Sequence, residues 1–135
     1  MIKGIGHTAY NVSDMEKSLD FYCKVLGFTH AFSTKKADGS PWIEYLKIKP
    51  GQFIELFYSD GGFESKSSYA HLCLEVDDIQ AIADHLIKMG APLDTAPMQG
   101  RDTNWQCWTH DPDGNRIEFM CISPGSPQDR ANQKG

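Results

Sequence analysis

The chain has 135 residues, enough for one compact domain or two small modules, and its 40% hydrophobic and 11% aromatic content is typical of a globular protein. Its formal net charge of −5 and the absence of a basic cluster argue against a nucleic-acid partner. No apolar run approaches the roughly eighteen residues of a membrane span, and the N-terminus lacks signal-peptide features, so we expect a cytoplasmic protein with no membrane partner. The four cysteines show no C-x-x-C spacing and are expected to be reduced and mostly core-facing.

The chain opens with a segment that is repeated. Residues 5–12 form an extended, half-apolar stretch, and a similar stretch returns at 69–76 with a histidine at the matching place. Each stretch precedes an acidic helix start. Ser13 with Glu16 predicts a capping box in the first copy, and Asp77-Asp78 places negative charge at the helix N-terminus in the second.

A helix is predicted after each of these starts, because apolar residues recur there at helical spacing. Each helix is expected to end at a glycine, which adopts a left-handed C-cap without steric cost. The apolar residues and their terminating glycines are Met15, Leu19, Tyr22 and Leu26 before Gly27, and Ile79, Ile82, Leu86 and Met89 before Gly90.

Three further strands are expected in each copy. Alternating residues predict pairs of strands near 29–36 and 42–49, and near 93–98 and 104–110. The last strand of each copy follows a turn and carries a glutamate at the matching place, Glu55 in the first copy and Glu118 in the second. The fold class is therefore α+β, with two βαβββ modules that form a cupped mixed sheet.

The domain organisation follows from this repeat. Residues 1–122 are interpreted as a single domain, with module one at about 2–58 and module two at about 69–121. A polar loop over 59–68 joins the modules. The remaining residues, 123–135, are rich in Pro, Gly, Ser and charge and are expected to form a flexible tail.

Strand alternation places one histidine and one glutamate of each module on the same face. Neighbouring side chains point to opposite faces of a sheet, so His71 lies opposite the apolar set that packs under the helix, and Glu118 does the same in the last strand. His7 and Glu55 repeat the arrangement. The helix-facing residues of the second module are Ala70, Leu72, Leu74, Val76, Ile117, Phe119 and Cys121.

These four side chains suit one divalent metal. Taken singly, a strand histidine or glutamate is usually structural or solvated, but two matching pairs in a repeated module favour a metal site over that interpretation. Two neutral imidazoles and two carboxylates fit nickel, cobalt or zinc, with manganese or iron(II) as further candidates. The carboxylates balance the charge of the dication, and four protein ligands leave positions for a water or a substrate oxygen.

The chain resembles the vicinal oxygen chelate superfamily, which includes glyoxalases, bleomycin-resistance proteins and dioxygenases. The resemblance rests on the paired modules, the four candidate ligands, residues 20–28 and the Asp-Pro-Asp-Gly-Asn turn at 111–115, and it covers residues 2–121. Within the superfamily the ligand set with Glu55 is similar to that of glyoxalase I, whereas the epimerase branch commonly has glutamine there. The resemblance implies a metal-dependent lyase or isomerase, a homodimer, and a role in methylglyoxal detoxification.

The implied chemistry is proton transfer on a small hydroxy-carbonyl substrate, such as a hemithioacetal. The metal stabilises the enediolate formed when the carbon-bound proton is lost. By resemblance, Glu118 is the catalytic base and Glu55 is either a ligand or a second catalytic carboxylate. Asn11 stands where glutathione-using relatives carry an arginine, so the thiol of the adduct can be a different one, or the substrate can lack one.

Other functions within the superfamily remain open at this point. They are an epimerase, an oxygen-dependent dioxygenase, a resistance-type transferase, and a non-catalytic small-molecule binder that uses no metal. Retention of Glu55 argues against the dioxygenase and the transferase, and tight metal binding would argue against the binder. The metal site can be formed within one chain or across a dimer.

Overall fold

The computed structural model describes residues 1, 5–62, 69 and 71–133. Most of the predicted joining loop, at 63–68, lies outside the described residues, as does Ala70. The chain divides into two compact units, Met1–Ser67 and Ser68–Gly135.

The first unit is a four-stranded mixed sheet with a helical segment. The strand order is β1-β4-β3-β2, with β1 parallel to β4 and the other pairs antiparallel. A short α-helix continues directly into a π-helical turn. The elements are β1 (His7–Val12), α1 (Met15–Leu19), the π-helical segment (Asp20–Val25), β2 (Thr29–Lys35), β3 (Pro41–Lys49) and β4 (Gln52–Tyr58).

The second unit repeats this topology. Its strand order is β5-β8-β7-β6, with β5 parallel to β8 and the other pairs antiparallel. The elements are β5 (Leu72–Glu75), α2 (Ile79–Lys88), β6 (Thr95–Gln99), β7 (Trp105–His110), β8 (Arg116–Cys121) and α3 (Pro127–Gln133). The predicted α+β class with two βαβββ modules is therefore confirmed.

Both main helices begin at an aspartate. The side chain of Asp14 accepts a hydrogen bond from the Lys17 amide at 3.1 Å, and Asp78 accepts one from the Ala81 amide at 3.0 Å. The predicted capping box with Ser13 as the cap is wrong, because Asp14 is the residue with extended backbone whose carboxylate meets the exposed amides of the first turn. The predicted glycine ends are confirmed, since Gly27 and Gly90 have φ of +79° and +71°.

One face of each sheet carries the buried core residues. In the first unit Leu46, Ile54 and Leu56 are almost completely inaccessible, together with Tyr22 from the π-helical segment. In the second unit α2 packs on β6, β7 and β8 and buries a corresponding apolar set: Ala83, Leu86, Cys107, Ile117 and Phe119. Leu56 and Phe119 immediately follow the two candidate glutamates along their strands, so both glutamates lie on the opposite face.

The buried face of the first sheet also carries a charged residue, Glu44. Its position in β3 faces Leu56 of β4, and it is only 8% exposed. The Tyr58 hydroxyl donates to Glu44 Oε1 at 2.8 Å, His30 Nε2 lies 2.6 Å from Oε2, and the Ser33 hydroxyl donates to the same oxygen. Burial alone would raise the pKa of Glu44, but these hydrogen bonds outweigh it and lower the pKa below the usual value.

The C-terminal segment contains a short helix that the sequence analysis did not predict. Ser126 is buried and its hydroxyl accepts from the Asp129 amide at 3.1 Å, and Asn104 bonds the Ser123 amide at 2.9 Å through its side-chain oxygen. The flexibility of residues 123–135 remains a prediction. The hydrogen bond from the Ser123 amide to Asn104 attaches the start of this segment to the second unit. None of the helices in the described part of the chain is long and apolar enough to cross a membrane.

Candidate metal centre

The first candidate pair, His7 and Glu55, lies at one edge of the first sheet. Parallel pairing of β1 and β4 places Ala9 opposite Glu55, so His7 is two residues before that position on the same face. His7 Nε2 is 3.4 Å from Glu55 Oε1. The Glu55 side chain is only 8% exposed, whereas His7 is half exposed. A nearly buried carboxylate thus has an accessible imidazole beside it.

The second pair, His71 and Glu118, repeats this arrangement in the second unit. Cys73 of β5 lies opposite Glu118 of β8, and His71 immediately precedes β5. His71 Nε2 is 3.1 Å from Glu118 Oε2. Each predicted histidine therefore lies beside the predicted glutamate of its own unit, which gives one histidine–glutamate pair in each unit.

A buried aspartate sets the position of Glu118. Asp111 Oδ1 accepts hydrogen bonds from the backbone amides of Asp113 and Asn115, and Oδ2 accepts one from the Asn115 side chain. Gly114 completes the turn with φ of +80°, a conformation that favours glycine. This turn fixes the register of β7 against β8. The register matters for the site, because a slip of one residue would move Glu118 to the opposite face.

The spacing within each pair fits a shared metal ion. Two ligand atoms that each lie about 2.1 Å from one ion are separated by roughly 3.0 Å at a right angle and about 3.4 Å at a tetrahedral angle. The observed separations of 3.4 and 3.1 Å fall in this range. Within the described residues no set of three or more His, Cys, Asp or Glu side chains converges, so a single site with four ligands remains a prediction.

Each glutamate also lies opposite an aromatic residue of the adjacent strand. Tyr45 is opposite Glu55 in the first sheet, and Trp108 is opposite Glu118 in the second. Desolvation, followed by a hydrogen bond to Glu55, raises the pKa of Tyr45. The Trp108 ring stands edge-on to His71, with 4.9 Å between ring centroids, so it packs directly against a candidate ligand.

The sequence analysis did not assign a role to Trp108, Arg116 or Cys73, which adjoin the second pair. The Arg116 guanidinium carbon lies 4.4 Å from the centre of the Trp108 ring. Burial, and secondarily the charge of Glu118, raises the pKa of the Cys73 thiol to about 12. The register of the hairpin could have identified Trp108, since counting back from the Asp113-Gly114 turn places it across from Glu118.

The remaining histidines lie outside both pairs. His30 belongs to the Glu44 cluster, and His110 Nδ1 contacts Asp94 at 2.8 Å. All four cysteines are free thiols, but the expectation that they mostly face the core is wrong, because only Cys107 is buried and Cys73 is exposed. Cys73 is exposed because it alternates onto the same face as the candidate ligands.

Comparison with known proteins shows the family to which the chain belongs. The sequence profile of the Glyoxalase/Bleomycin resistance protein/Dioxygenase superfamily matches residues 4–119. A probable lactoylglutathione lyase from Vibrio cholerae is 30% identical over 84% of this chain and 87% of its own length. Lactoylglutathione lyase from Haemophilus influenzae is also 30% identical, over 84% of this chain and 89% of its own.

Solved structures support the same assignment. A Sphaerobacter thermophilus member of the same superfamily superposes with a TM-score of 0.74 at 25% identity, covering 90% of this chain and 98% of that one. The sequence match is consistent with the fold of this chain, which has two mixed four-stranded sheets in a repeated topology. Each sheet has one histidine–glutamate pair. The chain belongs to the glyoxalase/bleomycin resistance protein/dioxygenase superfamily.

Proposed function

We propose that the protein is a metal-dependent lyase or isomerase of the glyoxalase I type, acting on a hemithioacetal or a related hydroxy-carbonyl compound. The observation that carries the proposal is the presence of two matching histidine–glutamate pairs with ligand-atom separations of 3.4 and 3.1 Å. The two relatives at 30% identity, both named as lactoylglutathione lyases, support the same reaction.

In this proposal His7, Glu55, His71 and Glu118 are the ligands of one divalent ion, with nickel, cobalt and zinc as the preferred candidates. The two pairs that serve one ion come either from one chain or from two chains of a homodimer. Both glutamates have low exposure, 8% and 16% for their side chains, which favours ionic bonds to a cation over solvation. When bound, the cation supplies Lewis-acid stabilisation of negative charge on the substrate oxygens.

The protein's own groups then transfer the proton. Glu118 removes the carbon-bound proton and returns it to the neighbouring carbon. His71, 3.1 Å from Glu118, orients that carboxylate, and the Trp108 ring limits the movement of the imidazole. Glu55 remains the less accessible carboxylate and serves mainly as a ligand.

Three kinds of rival function are weighed against this proposal. A non-catalytic binder needs no metal ligands, so two histidine–glutamate pairs on corresponding positions would have no role in it. A ring-cleaving dioxygenase or a resistance-type transferase typically uses two histidines and one glutamate, so the second glutamate favours proton transfer. An epimerase uses related proton-transfer chemistry but returns the proton to the same carbon, and that branch commonly has glutamine at the position of Glu55, so the glutamate favours the glyoxalase reaction.

The test is turnover of the methylglyoxal–glutathione hemithioacetal by protein loaded separately with nickel, cobalt and zinc, with bound metal quantified. We expect the metal-loaded protein to form the thioester product, which is measured by its absorbance in the ultraviolet. Asn11 is exposed on β1 and offers no cation to a glutathione carboxylate, so hemithioacetals of smaller thiols are assayed in parallel. Absence of metal-dependent product with every thiol would contradict the proposed reaction.

We further propose a homodimer that acts in the cytosol. Each four-stranded sheet has two edge strands, β1 and β2 in the first unit and β5 and β6 in the second. Unpaired edges are a liability that oligomerisation can cover. Light scattering on the eluted protein should give twice the chain mass of 15.1 kDa, and a monomeric mass would contradict the dimer.

A further inference from the structure

Arg116 is a cation on the candidate catalytic face that has no carboxylate partner among the described residues. It is two residues before Glu118 on β8, so the two side chains point to the same side and their Cα atoms are about 7 Å apart. Within the described part of the chain no Asp or Glu side chain lies within ion-pair distance of its guanidinium. The nearest cross-strand neighbour, His110, already contacts Asp94.

The guanidinium is held in place by its surroundings. Its carbon lies 4.4 Å from the centre of the Trp108 ring, and the indole N–H of that ring donates to Gln106 at 2.7 Å. The backbone is fixed as well, because the Tyr69 hydroxyl donates to the Arg116 carbonyl at 2.8 Å and accepts from the Leu72 amide at 2.9 Å. Among the described residues no acceptor is hydrogen-bonded to the five N–H donors of this guanidinium, so they remain available for a ligand.

From this arrangement we infer that Arg116 binds a carboxylate of the substrate, about one strand repeat away from the carbon that Glu118 deprotonates. The inference rests on the proposed function, which places the reacting carbon at Glu118. A single planar guanidinium matches a single carboxylate through two parallel hydrogen bonds. A phosphate dianion usually takes more than one cation, and the chain's net charge of −5 adds no general attraction for it.

The corresponding position in the first unit argues for specificity. Phe53 stands two residues before Glu55, just as Arg116 stands two residues before Glu118. The two units therefore share their candidate ligands but present an apolar ring in one case and a cation in the other. The substrate class that Arg116 selects is a hydroxy-carbonyl compound with an anionic end.

The experiment compares two matched substrates that differ in one charge. Hemithioacetals of methylglyoxal with 3-mercaptopropionate and with 3-mercaptopropanamide have almost the same size. We expect the metal-loaded enzyme to prefer the acid by about tenfold in kcat/KM, the size of effect given by one charge-assisted hydrogen-bonded pair. In Arg116→Gln the acid-to-amide ratio should fall to about one, and Arg116→Lys should retain part of it.

Arg130→Gln is the matched control. It removes one positive charge from the same unit at an exposed position of α3, and it should leave the acid-to-amide ratio at the wild-type value. A wild-type ratio near one, or an unchanged ratio in Arg116→Gln, would overturn the inference. The hemithioacetal of 2-mercaptoethylphosphonate is the third substrate. If the wild type prefers this phosphonate over the acid, and Arg116→Gln loses that preference, the site selects a phosphate-like group and the inference of a carboxylate is overturned.

A binding measurement separates this inference from the proposed reaction. Calorimetric titration with the stable thioethers 3-(2-oxopropylthio)propionate and its amide needs no turnover. If no hemithioacetal is converted, the proposed reaction fails, while tighter binding of the acid that is lost in Arg116→Gln still supports the inference. Equal affinity for acid and amide in the wild type would overturn it irrespective of catalysis.

Discussion

The two units hold the same pair of candidate ligands in different surroundings. Their ladder positions correspond one to one along the repeat. The corresponding residues are His7 and His71, Glu55 and Glu118, Ala9 and Cys73, Tyr45 and Trp108, and Phe53 and Arg116. Among these five pairs the histidine and the glutamate are unchanged, and the other three pairs differ.

This difference separates the two tasks of the site. If one ion is held by both pairs, as we propose, the unchanged histidine and glutamate are the residues that the ion requires from each unit, and the changed neighbours are the residues that can distinguish parts of a substrate. The carboxylates differ too, since the Glu55 side chain is 8% exposed and the Glu118 side chain 16%. The second unit, with Trp108 and Arg116 beside the more accessible carboxylate, is therefore the one that we expect to contact the reacting part of the substrate.

The largest expected effect is a difference in kcat between variants of the two glutamates. Glu118→Gln should lower kcat by at least about a thousandfold, because it removes the base while leaving an amide oxygen to bind the metal. Glu55→Gln should lower kcat by only about tenfold, because one ligand is weakened and the base remains. Steady-state turnover and bound metal are measured for both variants. Equal losses in the two would contradict the assignment of Glu118 as the base.

A second, smaller effect concerns the turns that position the glutamates. Asp111→Ala should lower the free energy of unfolding by about 2 kcal/mol, because three part-buried donors lose the buried carboxylate that accepts their hydrogen bonds. The matched control is Asp38→Ala, which removes an exposed turn aspartate that accepts from the Ser40 amide and hydroxyl of the first unit. That change should cost less than about 0.5 kcal/mol. Urea unfolding checks both, and equal costs would refute the role given to Asp111.

The smallest effect is an acid sensitivity that only the first unit should show. Glu44 corresponds in the repeat to Cys107, where burial raises the pKa of the thiol to about 11 and keeps it neutral. The pKa of Glu44 is lower in the folded protein than in the unfolded chain. Its contribution to stability is therefore complete above the unfolded value and is lost as the pH falls through the folded value.

Glu44→Gln tests this pH dependence. At neutral pH the variant should be less stable by about 1–2 kcal/mol, since the amide replaces a charge-assisted acceptor of three hydrogen bonds. The difference from the wild type should shrink as the pH is lowered below the usual carboxyl range. Urea titrations of both proteins from pH 7 to pH 3 measure it. A difference that stays constant over this range would show that Glu44 does not titrate with a lowered pKa.

The sequence repeat was sufficient to predict the fold class and to select the four candidate ligands. Strand alternation, combined with the constant spacing, placed Glu55 and Glu118 on the face opposite the buried residues, and the ladder has them there. The glycines that end the two helices, Gly27 and Gly90, could also be predicted from the sequence, because a positive φ is costly for other residues.

Other features could not be predicted from the local pattern of residues alone. Ser13 and Asp14 are both good caps, and only the alignment of the repeat, which matches Asp14 to Asp78, would have selected Asp14. The helix α3 follows from contacts of Asn104, which lies in a different turn, distant in sequence from Ser123. The contact of Arg116 with the Trp108 ring depends on the β7–β8 register, which the buried Asp111 turn determines.

The most direct test of the central claim is the number of divalent ions bound by each chain. Plasma mass spectrometry after equilibration with nickel or zinc and gel filtration gives the ratio of metal to protein. If the two histidine–glutamate pairs serve one ion, the wild type binds one ion per chain, and His7→Ala and His71→Ala each lose nearly all of it. Two ions per chain, with each variant losing only one, would contradict the account, as would a wild type that binds none.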